Sequence, residues 1–397
     1  MNKSVIFLFF RICLFITIGQ HVLYLDKIEI LNSFFSIART ILFPFTLGMI
    51  AYLRTKLENY KLYSYIGLFF LIELVSSIIN NVPNILPIIS FAMSIVLLFS
   101  TIAIGCMYDI TKTIKILRDT LFVYTILNFI LVLIYPDGVW MDIINKWTLE
   151  ERGRYLIGGN RNQMGAFLLC AQISAFLYYL QSSKGKSLYL IIAVCSIITL
   201  VIVDSKTSLI GNTFFILFLT IREVRNKKRV IKIFILTYIV FQLFAVFLIS
   251  DLSKIGIVSY VIENILNKDL TFSNRTTIWI MTTNVISDSP WIGWGLHDNE
   301  WNNTYIGGVS THNFVYSILL KGGILQLLSF ILIMIYIVKS VNRYLSKQSL
   351  TTYFGLWVLL FMMIMEVYNI YIICIFLSMV LISTQLSKYD YNNYTPS

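Results

Sequence analysis

The sequence predicts an all-α, polytopic integral membrane protein with about twelve spans. Three observations predict it. Of 397 residues, 57% are hydrophobic and only 13% charged, where a soluble domain carries about 25% charged residues. Apolar runs approaching the roughly 20 residues that a membrane helix needs recur along the chain. Lysines and arginines then concentrate in alternate connecting segments. This composition excludes a soluble enzyme, a disordered scaffold and a nucleic-acid-binding domain.

Candidate spans fall at 4–22, 33–53, 63–80, 85–108, 120–136, 163–180, 187–203, 209–221, 230–249, 323–338, 351–368 and 369–386. The first follows Lys3 and mimics an export signal. It lacks a small-residue cleavage site and the next run is close, so a retained span is expected. The stretch 209–221 is short, and the last two runs divide only at Tyr368-Asn369. With the N-terminus inside, inner segments hold 19 Lys and Arg: Lys3, Arg54, Lys56, Lys61, Lys112, Lys115, Arg118, Lys184, Lys186, a run from Arg222 to Lys232, Lys339, Arg343, Lys347 and Lys388. Outer segments hold nine, Lys27, Lys146, Arg152, Arg154, Arg161, Lys206, Lys254, Lys268 and Arg275, and 13 of the 20 acids. Both termini are therefore expected on the cytoplasmic side, and most of the +11 net charge is topology rather than a call for an anionic ligand.

The loops are unequal. Inner loops are about a dozen residues or fewer, whereas outer loops span 137–162 and 250–312. This divides the chain into spans one to nine over 1–249, a large extracytoplasmic loop over 250–312, and a re-entrant segment with the last three spans over 313–397. Function concentrates in loops carried on a rigid scaffold, so the site is expected on the outer face. No repeat of fixed period or matched pair of broken helices is evident, which disfavours an inverted-repeat carrier.

The first outer loop ends Arg152-Gly153-Arg154 and then Gly158-Gly159-Asn160-Arg161-Asn162, at the mouth of the next span. Glycines admit close backbone approach, a helix N-terminus attracts anions, and an arginine there can grip phosphate with a planar fork. The same residues also suit a helix-entering turn whose arginine snorkels to headgroups. In the turn Asp204-Ser205-Lys206-Thr207-Ser208, Lys206 either joins that anion site or is a solvated connector.

The loop 250–312 carries Ser273-Asn274-Arg275, a helical stretch 276–286 with Trp279, and Pro290-Trp291-Ile292-Gly293-Trp294-Gly295. His297-Asp298-Asn299-Glu300 and Thr311-His312-Asn313 follow. Six of the seven tryptophans lie in the two long outer loops, as an interfacial belt or as platforms for sugar rings. His312, where the chain re-enters the membrane ahead of Lys321-Gly322-Gly323, is the candidate general base, since imidazole accepts a proton near neutral pH. It also suits an interfacial helix cap. His297 and Glu300 are too few ligands to define a metal site. The five cysteines lie in apolar runs at no metal-ligand spacing and suit helix packing. Glu73, Glu366, Arg11 and Arg39 are ionisable residues within or beside spans, with Glu366 placed to cap the outer end of its span.

On Arg161 in Gly-Asn-Arg-Asn, the Ser-Lys-Thr turn at Lys206, Arg275 followed by Trp279, Pro290, Gly293 and Gly295, and His312-Asn313 with Gly322-Gly323-Ile324, the chain resembles the bacterial O-antigen and capsular polysaccharide polymerases of the Wzy type and the related O-antigen ligases. The likeness covers nearly the whole chain in hydropathy and residues 152–163, 204–211 and 273–326 in motif. It implies a GT-C-like membrane fold with the large outer loop between spans nine and ten. It also implies a bacterial cytoplasmic-membrane enzyme that moves glycan from undecaprenyl diphosphate to an acceptor sugar hydroxyl on the outer face, with inversion and no metal or other cofactor. Arg161 and Arg275 would hold the departing diphosphate, and His312 would take the acceptor proton. Asn160, Asn162, Arg154, Lys206, Trp279, Trp294 and Asn313 would bind substrate. Lys206 stands where relatives often carry arginine. The implied partners are the lipid-linked oligosaccharide, membrane lipids, a chain-length regulator and a flippase, and no nucleic acid. The alternatives are a ligase, a metal-dependent transferase using Asp26 or Glu29, or a flippase for lipid-linked sugars.

Overall fold

A computed structural model describes residues 3–25, 27–52, 60–145, 150–220, 227–243, 275–343 and 345–394. Asp26, Arg54, Lys56, Lys146, Trp147, Arg222, Arg225, Lys254, Lys268, Ser273 and Asn274 lie outside the described residues. The helices run α1 (Lys3–Val22), α2 (Glu29–Tyr52), α3 (Tyr60–Ile79), α4 (Leu86–Tyr108) and α5 (Ile110–Ile134). A hairpin of β1 (Trp140–Asn145) and β2 (Glu150–Arg154) comes next. Then follow α6 (Met164–Ser182), α7 (Lys186–Ile202), α8 (Lys206–Thr220), α9 (Lys227–Leu243), α10 (Arg275–Asp288), α11 (Asn299–Ile306), α12 (Phe314–Arg343), α13 (Lys347–Met362) and α14 (Ile370–Tyr394). Among the described residues eight helices, α1 to α6, α12 and α14, are long and apolar enough to cross a membrane, with α7 and α8 shorter apolar helices.

Among the described residues the protein is an all-α membrane bundle with one small two-stranded sheet. The first outer loop is a two-stranded antiparallel hairpin, Trp140 opposite Arg154 and Asp142 opposite Arg152. A short ribbon is marginal alone. Here Asp142 ties it down: it accepts from Arg154 at 2.9 Å and Tyr24 at 2.8 Å and pairs with Lys27 at 2.6 Å. Helix α5 starts ten residues ahead of the predicted span because Asp109 caps it, accepting from the Lys112 amide at 2.9 Å. The helix therefore carries Lys112, Lys115 and Arg118 on its first turns, outside the purely apolar run.

Burial is deepest in α6, where every residue from Met164 to Ala175 is buried, and in α14. Lipid does not drive helices together by hydrophobicity, so small and hydrogen-bonding residues sit at these contacts. Gln172 Nε2 donates to Asn212 at 2.9 Å, and Asn212 Nδ2 donates to the Gly165 carbonyl at 3.1 Å. The outer faces of α2, α7 and α9 keep large apolar side chains exposed, among them Ile37, Phe45, Val194 and Leu236, as lipid contact requires.

Helix α12 breaks at Gly323, whose φ of 61° and ψ of −160° are accessible essentially only to glycine. The segment 290–295 fills the break. Trp294 N donates to Leu320 O at 2.7 Å, Gly295 N to Lys321 O at 2.9 Å, and Ile324 N to Pro290 O at 2.8 Å. A Cβ on Gly323 would lie 2.3 Å from the Trp291 carbonyl carbon. The Pro-Trp-Ile-Gly-Trp-Gly and Gly-Gly motifs are thus two halves of one backbone joint, which also docks on α3 through Leu296 N to Ser77 Oγ at 2.9 Å. Gly323→Ala is expected to destabilise the fold by roughly 1–3 kcal/mol or more, seen as a lower melting temperature in detergent. An unchanged melting temperature would show that the joint is dispensable.

Candidate active site

Between α13 and α14 the chain leaves the helix at Met362 and resumes it at Ile370. The bridging residues are held by hydrogen bonds to three other helix ends. Phe314 N donates to Met363 O at 3.0 Å, Asn313 Nδ2 to Ile364 O at 3.0 Å, Gln163 Nε2 to Val367 O at 2.6 Å and Asn369 Nδ2 to His21 O at 2.9 Å. This clamp buries Glu366 to 5% exposure between the starts of α6 and α12. An isolated carboxylate there would be costly, so its partners matter.

Three come from separate stretches of chain. Asn162 Nδ2 donates to Glu366 Oε2 at 2.9 Å. Arg275 Nη2 approaches the same oxygen at 3.5 Å, and His312 Nδ1 stands 3.3 Å from Oε1. Burial pushes the Glu366 carboxyl upward, but His312, Arg275 and Asn162 outweigh it and hold the group below its ordinary value of 4.5. The carboxylate is therefore ionised at neutral pH. Since its value is depressed, its stabilising contribution is complete above the ordinary range and is lost only as pH falls through the lowered value.

His312 is fixed by its own backbone. Its φ is +50°, unusual for a residue with a side chain. Thr311 Oγ1 donates to Asn313 O at 2.9 Å, His312 N donates to Ser310 Oγ at 3.3 Å, and Asn313 Oδ1 accepts from the amides of Val315 and Tyr316. Trp279 Nε1 donates to Thr311 O at 2.8 Å, tying α10, and with it Arg275, to the histidine loop. Nδ1 is buried beside Glu366 at ion-pair distance without a hydrogen bond, so the imidazole's 27% exposure belongs to other atoms.

The other expected site residues distribute around this centre. Arg161 is exposed, beside Asn162 in sequence, and its nearest electrostatic influence falls on the Tyr155 phenol. The structure therefore brings Arg275 and His312 together on Glu366 and leaves Arg161 exposed. Asn160 shapes the turn, its Oδ1 accepting from the Asn162 amide at 3.3 Å. Lys206 is the exposed first residue of α8, and its neighbours Ser205 and Ser208 donate to Asn162 Oδ1 and O at 3.4 and 3.3 Å. Arg154 is engaged with Asp142 and lies over the Tyr24 ring at 5.8 Å. Trp279 is 3% exposed, and Trp294 donates to Val285 O at 2.8 Å, so both indoles hold backbone. Asn313 is fully buried as a cap. His297 stacks on Trp301 at 4.2 Å, and among the described residues no three His, Cys, Asp or Glu side chains converge on a metal position.

Glu366 was not among the expected site residues. Its signal was a lone acid beside Tyr368-Asn369 within 36 residues of otherwise apolar chain.

Asp142 offers a pH test. Hydrogen bonds from Lys27 and Tyr24, and from Arg154, outweigh its burial and hold it down to about 2 from 3.8. The melting-temperature advantage of the wild type over Asp142→Asn should be constant above pH 4 and shrink as pH falls toward 2. An advantage that grows with acidity would contradict the clamp.

Residues 191–331 match the sequence model of a family described as O-antigen ligase. The match includes Lys206, Arg275, Trp279, Trp294, His312 and Asn313 and leaves Asn162 and Glu366 outside. No curated protein matches the chain.

Proposed function

We propose, from the premise that this chain belongs through residues 191–331 to the O-antigen polymerase/ligase superfamily, that it polymerises lipid-linked oligosaccharide repeat units at the outer face of a bacterial cytoplasmic membrane. The observation that carries the reading is the convergence of Arg275, His312 and Asn162 on the buried Glu366. In the reaction, Nε2 of His312 takes the proton of an acceptor sugar hydroxyl as its oxygen attacks the donor anomeric carbon. The bond from that carbon to the diphosphate oxygen breaks on the opposite face, its electron pair leaves with undecaprenyl diphosphate, and configuration inverts. Glu366 holds Nδ1 and faces the positive charge developing on the ring, the base-and-orienter logic of catalytic triads. Arg275 meets the growing negative charge of the leaving group, with Arg161 at the rim and Lys206 beyond it as further cations.

The outer-face placement rests on the distribution of lysine and arginine. The cluster lies at the starts of α6 and α12, whose far ends run to Lys184 and Arg343. Both termini then face the cytoplasm. A flippase would supply the donor, and a chain-length regulator would act beside the enzyme.

A ligase, which moves finished glycan once to a different acceptor, is the second reading, and the description of the matched family favours it. Purified protein given a defined undecaprenyl-diphosphate-linked repeat separates them. The polymerase reading expects a ladder of products that persists in EDTA. A single transfer only to a lipid acceptor supports the ligase, and carrier movement across liposomes without any glycosidic bond defeats both.

A further inference from the structure

A cavity of about 530 Å³ opens among the outer ends of α1 and α3, the start of α12 and the segment leading into α14. It does not contain His312 or Arg275, and it shares a wall with the active site: Gln163, Val367 and Tyr368 line it, and they flank Asn162 and Glu366 in sequence. Its polar lining includes Glu73, Lys321, Gln326 and Asn369, opposite aromatic rings such as Tyr24 and Phe91.

Two features show what it is built to hold. Glu73 is 7% exposed and lies six residues inside the end of α3, about 9 Å deep at 1.5 Å per residue. Its recorded side-chain partner is the neutral amide of Gln326, Nε2 to Oε2 at 2.9 Å. Lys321 lines the same space, yet among the described residues no ion pair joins the two. A buried acid and a half-buried base that line one cavity without an ion pair between them leave acceptor and donor capacity for an occupant. A diphosphate fits poorly against the carboxylate. A neutral, hydroxyl-rich ring fits: its hydroxyls donate to Glu73 and accept from Lys321, and its apolar face packs on the aromatic wall. The volume is ordinary for a small-ligand pocket.

We propose that this cavity is the acceptor-sugar subsite, with Glu73 and Lys321 reading the hydroxyls of the glycan whose free hydroxyl is presented to His312. This deepens the polymerase reading and rests on it for the identity of the occupant. Atoms on the sugar past the reacting hydroxyl would enter the cavity along the Gln163–Val367 wall, so substitutions there alter which acceptor is used rather than how the donor leaves.

The probe is the repeat-unit oligosaccharide released from its carrier by mild acid, titrated against wild type, Glu73→Gln and Lys321→Met in detergent. Extension kinetics are measured on the lipid-linked repeat in parallel. Losing a hydrogen bond to a charged group should weaken oligosaccharide binding roughly tenfold or more in each variant, with a matching rise in acceptor KM and a smaller change in kcat. If Glu73→Gln does not fold, Lys321→Met carries the test. Unchanged binding and KM in folded variants would overturn the subsite, and so would competition by inorganic diphosphate in place of the oligosaccharide. Glu73-dependent binding without any ladder would uphold the cavity as a glycan site and defeat the polymerase reading instead.

Discussion

Glu366→Gln should lower the rate of chain extension by roughly 10² to 10⁴-fold while the protein still inserts and folds. The exchange keeps the shape of the side chain and removes its charge. Asn162 can still hydrogen bond to the amide, but Arg275 loses its buried counter-ion and Nδ1 of His312 loses the carboxylate that stands 3.3 Å from it. The loss should therefore fall on kcat, with KM for the lipid-linked donor little changed. Melting in detergent separates this from collapse: a folded variant with full activity would leave Glu366 as a mere structural filler. Asp is too short to span from the 363–369 segment to both partners, so Glu366→Asp should recover little.

Arg275→Lys should cost roughly 10² to 10³-fold in extension, close to the loss in Arg275→Ala. At 19% exposure Arg275 uses one guanidinium nitrogen toward Glu366, and in the proposed reaction its other donors would meet the leaving diphosphate. A lysine keeps the charge and cannot both face a carboxylate and present a flat pair of donors to phosphate. If lysine restores most of the activity, Arg275 serves only as a counter-ion for Glu366. Arg161→Ala should reduce activity less than Arg275→Ala, since Arg161 is exposed.

Much of the fold was legible because membrane spans are written in the simplest signal a sequence carries, continuous apolar runs punctuated by cations. Every predicted span overlaps a helix, and the break at Gly322-Gly323 appears where the sequence placed it. The hairpin in the first outer loop was not legible. Its strands are stabilised by long-range partners, Lys27 and Tyr24 on Asp142, rather than by alternation within the strands. In the candidate site, His312 and Arg275 stood out because charged and titratable residues are rare in such a chain. Asn162 was visible as part of a polar turn. Glu366 read as an ionisable residue in a span or as a cap on its outer end, because the three residues that meet it lie 54 to 204 positions away. Trp279 and Trp294, read from sequence as an interfacial belt or as sugar platforms, donate their indole nitrogens to the carbonyls of Thr311 and Val285, contacts that no local pattern announces.

The most direct test of the centre is a double-substitution cycle on extension rate, combining Glu366→Gln with His312→Ala. Residues that work as one unit lose far less together than the product of their separate losses. The combined variant should be at least roughly tenfold faster than that product, a coupling of about 1.4 kcal/mol. Losses that simply multiply would mean the carboxylate and the imidazole act independently, contrary to the convergence described here.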